Sequence, residues 1–267
     1  MSRYLQVAKI SWQNALIYKA NFIGTSIMNI FRVIAEAAFW AVFFEVSKKD
    51  SIGGYTLFSI ITYYLLMFII GTFINANQTG FSIANDIKTG RLSQFLVKPV
   101  NYLGYYMSEA ISKKLLQLSI TLLIFIPVFA ICYKNLVFNI VPVQLIFYPL
   151  VLSLAFILNY LINVAFSLTA FFVIEITSFF FLQEIIFNFL SGGVFPLDIL
   201  PKSILGVFRL LPFMYVTYFP ISILNKGIST SELFYGIAAQ CIWIIVLYII
   251  IKILWRFGIR LYAGTGI

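Results

Sequence analysis

The 267-residue chain contains no histidine. That closes off imidazole acid–base catalysis and a Ser-His-Asp triad, and it removes the commonest metal ligand. Cysteine is nearly absent too. Cys132 and Cys241 both lie in or beside apolar runs, so neither a disulfide framework nor a zinc site is indicated. No G-x-x-x-x-G-K-[ST] segment occurs, so the chain does not bind ATP through a phosphate loop of that kind. The N-terminus lacks a short apolar segment followed by a small-residue cleavage site, and no cleaved signal is expected. Charge is the scarcest property of all. Only 10% of residues are charged and 62% are apolar, against about 25% and about 45–50% in soluble domains. So few charges cannot cover a protein of this size in water.

What is abundant is uninterrupted apolar length. Mean hydropathy is +1.00, and phenylalanine alone contributes 29 residues. The runs are continuous rather than alternating, which excludes a β-barrel and predicts an all-α integral membrane protein. A helical span needs about 20 apolar residues. Tyr55–Ile74, Leu115–Tyr133 and Leu233–Ile251 meet that length without a charge. The uncharged stretch from Asn135 to Ile174 opens with Pro142 and Pro149, which suit the start of a helix better than its middle. The resulting expectation is a single domain over 1–267 with six transmembrane helices at 20–44, 55–75, 110–133, 143–171, 177–195 and 233–256.

The excess of nine positive charges reads as positive-inside topology and contact with anionic membrane lipid, not as nucleic-acid binding. With the N-terminus inside, eleven Lys/Arg residues fall on the cytoplasmic side and six outside. Both termini are therefore expected in the cytoplasm. Residues 1–19 place Leu5, Ala8, Trp12, Ala15 and Leu16 at helical spacing, which predicts an amphipathic helix lying in the interface. Residues 192–232 are rich in Gly and Pro yet apolar. They predict a re-entrant outer segment of two short helices between spans five and six, tolerated only where buried in protein or lining a cavity.

Polar residues inside the spans are the candidates for chemistry. Asn21, Thr25, Asn29, Arg32 and Glu36 fall on one arc of the first span, and Arg32 and Glu36 are four apart and able to pair. A charge at mid-bilayer costs about 2.5–3.5 kcal/mol on insertion scales, so this face should meet protein or water. A structural ion pair at a helix or subunit contact and a lining of a translocation path both fit. Asn159, Asn163 and Ser167 share a face of the fourth span and suit helix–helix contact. Thr177, Glu184, Asn188 and Ser191 share one in the fifth. Glu184 stands alone in an apolar run, so it must be protonated, paired across helices or exposed in an aqueous cavity.

The most distinctive segment is the polar, basic loop between the second and third spans. Over 83–98 it runs Ile-Ala-Asn-Asp86-Ile-Lys-Thr-Gly90-Arg-Leu-Ser-Gln-Phe-Leu96-Val-Lys98 and is followed by Pro99. Asp86 favours a helix start, Gly90 a break and Pro99 the end of a second short helix. The product is a rigid charged elbow, although charge placed by the positive-inside rule alone gives a solvated loop there.

This elbow, with Leu96-Val-Lys98-Pro99, resembles the segment after the second span in ABC-2 type transporter permeases. Leu190-Ser-Gly-Gly-Val-Phe-Pro196-Leu-Asp-Ile-Leu-Pro201 resembles the Gly-then-Pro stretch after their fifth span. Arg260-Leu-Tyr262-Ala-Gly264-Thr-Gly266 resembles the ends of a six-span bacterial subgroup that often works with a second, related permease. The resemblance implies a multi-pass exporter subunit of the bacterial cytoplasmic membrane. Two permeases, the same or related, would form the path as a dimer. Two separate ABC ATPase subunits would bind ATP and Mg, leaving this chain without a cofactor, a metal or a catalytic residue. The elbow would be the coupling segment that docks on the ATPase, with Asp86, Lys88, Gly90, Arg91 and Leu92 as docking contacts. Arg32, Glu36 and Glu184 would line the path or a dimer contact. Two other classes compete. A stand-alone channel or ion-coupled carrier would work without an ATPase. A membrane enzyme or scaffold would need a polar catalytic cluster at one interface, and the sequence offers none.

Overall fold

The computed structural model describes residues 3–173 and 175–264. Among these the chain is helical, with one isolated bridge between Ile52 and Tyr55 and no β-strand. Eleven α-helices follow in order: α1 Arg3–Ile17, α2 Lys19–Ser47, α3 Leu57–Ile74, α4 Asn77–Lys88, α5 Leu92–Leu96, α6 Tyr102–Cys132, α7 Pro142–Leu168, α8 Thr177–Ser191, α9 Lys202–Phe208, α10 Tyr218–Asn225 and α11 Thr230–Gly264. Thr265 and Gly266 of the tail motif lie outside the described residues.

The helix ends follow local chemistry. Thr56 and Asn101 cap α3 and α6 by accepting from the Ser59 and Gly104 amides. Pro142 opens α7 at a position where its missing N–H has no helical partner to lose. Gly192 ends α8 in the left-handed region at φ 83°.

Among the described residues, five stretches are long and apolar enough to cross a membrane: Lys19–Ser47, Leu57–Lys88, Tyr102–Pro127, Pro142–Phe171 and Thr230–Tyr262. The protein is thus an all-α, multi-pass membrane protein. The fifth expected span, 177–195, is represented by α8, whose 15 residues reach only about 22 Å at 1.5 Å per residue. Gly192 turns the chain before the helix matches a hydrocarbon core of about 30 Å.

The segment expected as an amphipathic helix is helical, and α1 packs along α6. Ser11 and Ala15 are buried, and a Cβ on Gly104 would meet the Tyr4 ring at 3.1 Å. Only Tyr18 separates α1 from α2, which meets the same helix again where Ser26 Oγ lies 3.1 Å from Thr121 Oγ1. α3 ends at Ile74, and after a break at Asn75–Ala76 the chain is helical again as α4 to Lys88, so the first part of the expected elbow over 83–98 is helix.

Three clusters of buried side chains make the core. One joins α3 and α7 to α10 and α11 through Tyr63, Leu66, Leu158, Phe219, Ile221 and Leu233. A second holds the elbow end through Ile83, Ile87, Leu92, Tyr106, Leu168 and Ile251. The third seats Val33, Trp40 and Phe44 of α2 against Tyr64, Phe68 and Phe125. α9 and α10 fall in the segment 192–232, for which two short helices were expected, and every residue of α10 but Leu224 is buried.

Candidate functional site

The apolar runs that place helices in lipid leave their polar arcs needing protein or water. Those arcs converge. A cavity of about 800 Å³ is walled by α1, α2, α3, α6 and α8 together with the α3–α4 break. Asn21, Thr25, Asn29, Arg32 and Glu36 all line it from α2, and Glu184 and Asn188 line it from α8. Val33, Met67, Phe68 and Phe187 give it an apolar side. Arg32 Nε donates to Glu36 Oε1 at 2.8 Å, and Arg32 Nη2 reaches the Gly193 carbonyl at 3.4 Å. Glu36 Oε2 is buried and has no partner. The cavity is not sealed: the Arg32 side chain is 52% exposed, and Glu184 is exposed. Arg32, Glu36 and Glu184 therefore share one wall system, with the first two paired as their spacing suggested.

α6 contributes further polar groups to the same wall, beyond the expected site residues. Glu109, Lys113, Lys114 and Gln117 line the cavity. Lys113 Nζ donates to Glu109 Oε1 at 2.5 Å, and Lys114 Nζ to Gln117 Oε1 at 2.9 Å. Their signal was legible: a polar i, i+4 ladder at the start of a long apolar run belongs on one helix face.

The elbow lies at one end of the bundle. Gly90 makes the turn at φ 77°, and α5 ends three residues before Pro99. Asp86 does not start a helix; it sits in the last turn of α4. A carboxylate there opposes the helix dipole, and three donors compensate it. Tyr106 Oη donates at 2.5 Å and Tyr102 Oη at 3.2 Å, while Arg91 Nε lies 3.4 Å away. Asp86 is 1% exposed and Leu92 0%. Both expected docking contacts are thus consumed inside the chain, because each fixes the elbow to α6 and the helices beside it. Lys88 and Arg91 are exposed and Gly90 partly so. Leu96 is also exposed, and Val97 is 84% exposed, an apolar tip that the site reading did not include. Tyr262 of α11 braces the turn by donating to the Gly90 carbonyl at 2.9 Å, and its hydroxyl lies 2.9 Å from Ser93 Oγ.

From the elbow, α4 leads back to the cavity. Breaking the helix at Asn75–Ala76 frees the Ala76 N–H, which donates to Asn159 Oδ1 at 2.7 Å. Asn163 Nδ2 donates to that same oxygen at 3.0 Å, and Gln183 Nε2 of α8 donates to Asn163 Oδ1 at 3.2 Å.

The family model described as ABC-2 family transporter protein matches residues 20–266, nearly the whole chain. The chain belongs to the ABC-2 transporter family. No curated relative matches it. This ABC-2 chain is accordingly a membrane transport subunit of a kind associated with ABC ATPases. Its elbow and most of its cavity wall fall within the matched residues, whereas all of α1, which lines one side of the cavity, precedes them. Among the described residues of this ABC-2 chain, no group of three His, Cys, Asp or Glu side chains is arranged to hold a metal.

Proposed function

We propose that the protein is the permease subunit of an ATP-driven exporter, paired with a second permease, the same or related. Two ATPase subunits dock from the cytoplasm on the elbow through Lys88, Arg91 and the apolar tip at Leu96 and Val97. The ATPases hold ATP and Mg. The chain crosses the membrane six times, with α8 as a short fifth span, α9 and α10 re-entering from outside, and both termini cytoplasmic.

The observation that carries this reading is the cavity. A polar wall of six helix-borne charges in a lipid-embedded chain is costly unless water or cargo occupies it. Arg32 of α2 and Glu184 of α8 line it and are exposed, and both helices carry exposed apolar residues at Phe31, Ile34, Phe181 and Ile185. A second permease on these helices closes two half-cavities into one path. The elbow is rigid because its polar anchors are spent internally, so closure of the ATPases moves it as a body.

The test is reconstitution in liposomes with and without the ATPase. Transport requires the ATPase and ATP. Reversing Lys88→Glu and Arg91→Glu together leaves the protein inserted but abolishes coupling of hydrolysis to transport. Cargo movement by the permease alone, or normal coupling in that double variant, overturns the proposal.

A further inference from the structure

Asn159, Asn163 and Gln183 are all buried, at 1%, 1% and 3% exposure. Together with the Ala76 amide they form one chain of hydrogen bonds from α4 through α7 to α8. The placement is specific. At one end is the N-terminus of α4, the helix whose other end is pinned at the elbow by Asp86. At the other end is Gln183, the neighbour of cavity-lining Glu184. Asn75, Asn77 and Gln78, beside the break, line the cavity themselves, as does Asn159. α4 and α7 also touch without slack where this chain passes: a Cβ on Gly80 would meet Asn163 Cβ at 3.0 Å and its carbonyl oxygen at 3.1 Å.

We infer that the amides of Asn163 and Gln183 are positioning residues that carry movement of the elbow into the cavity wall. α4 is a lever of 12 residues, stiff because it is helical and close-packed. Its joint with the span before it is a helix break, where rotation costs least. The freed Ala76 N–H is buried, its residue being 1% exposed, so its partner must follow it. Asn159 follows through Oδ1. Asn163 follows Asn159, and Gln183 then draws α8 with it. Hydrogen bonds constrain direction as well as distance, which apolar packing at the same place does not. This inference rests on the exporter reading above.

The experiment uses the permease with its ATPase in liposomes. Asn163→Leu and Gln183→Met keep side-chain volume and remove the polar link. Each should lower ATP-driven transport by about tenfold while ATP hydrolysis stays within about twofold, and the double variant should fall no further than either single one, as members of one unit do. Spin labels at Met28 on α2 and Phe181 on α8, both exposed, span the cavity. Their separation should change on ATP binding in the parent protein and stay fixed in the variants, which a role in stability alone would not produce. If Asn163→Leu fails to insert, Gln183→Met alone carries the test, because it cuts the link to α8 and leaves the α4–α7 contact intact. A parent complex without ATP-driven transport defeats the exporter reading. A coupled parent whose inserted variants stay coupled and keep the ATP-dependent separation defeats this inference alone.

Discussion

The elbow end and the cavity contain the same kinds of side chain and treat them oppositely. At the elbow Asp86 is buried and met by two phenols and a guanidinium. Around the cavity Glu36 keeps one oxygen unpartnered, as does Asn77, and Glu184 is exposed. A carboxylate satisfied from within fixes a shape. One left unsatisfied keeps a surface polar, as the proposed translocation path requires. The difference in partners separates Asp86 from Glu36 and Glu184 where residue type cannot, since all three are acids on membrane-associated helices.

The largest effect expected from breaking this contrast is at Asp86. Asp86→Ala strands two buried hydroxyls and a guanidinium and should cost about 3 kcal/mol, since hydrogen bonds to a charged group are worth about 1.5–3 kcal/mol each. Arg91 adds little because its side chain is 60% exposed. Denaturant unfolding in mixed micelles measures the loss, and an unchanged midpoint would refute the anchor.

Gly192→Ala should come next. Its φ of 83° costs an alanine about 1–2 kcal/mol, and the new Cβ would stand 2.7 Å from Tyr63 Oη. The same unfolding assay should show it, together with a disturbed α8–α9 turn in proteolysis.

Tyr63→Phe is milder. It removes the hydroxyl that donates to the Gly192 carbonyl at 2.7 Å and should cost about 0.6–1.7 kcal/mol, the range for hydrogen bonds between helices in lipid. Finding Tyr63→Phe costlier than Gly192→Ala would reverse the view that backbone conformation dominates this turn.

Glu184→Gln should leave unfolding unmoved while changing the rate or selectivity of transport. A stability loss without a transport change would place Glu184 with Asp86 and erase the contrast.

The elements differ in how far the sequence disclosed them. Long apolar runs gave α2, α6, α7 and α11 to within several residues at most ends, because membrane insertion answers to composition summed along a helix. The Arg32–Glu36 pair was equally readable, being one turn apart. The turn at Gly90 was legible in the elbow, yet two of its five proposed docking contacts, Asp86 and Leu92, are buried. Asp86 looked like a helix start because an acid before a polar run usually is one. Its true environment is made by Tyr102 and Tyr106 from the next helix. The α3–α4 break left no Pro or Gly at Asn75–Ala76 to announce it. Asn159, 83 residues away, is what makes the break tolerable. α1 was readable as an amphipathic helix, but nothing in its own pattern names α6 as the surface it covers.

From sequence alone it follows that this chain lives in lipid, that it is helical, and roughly where it crosses, because transfer of a helix from water to hydrocarbon depends on which residues are consecutive. Only the tertiary structure decided which polar groups are spent on each other and which are left facing a cavity. That choice depends on donors and acceptors brought within about 3 Å by helices tens of residues apart, and no local pattern encodes such a distance.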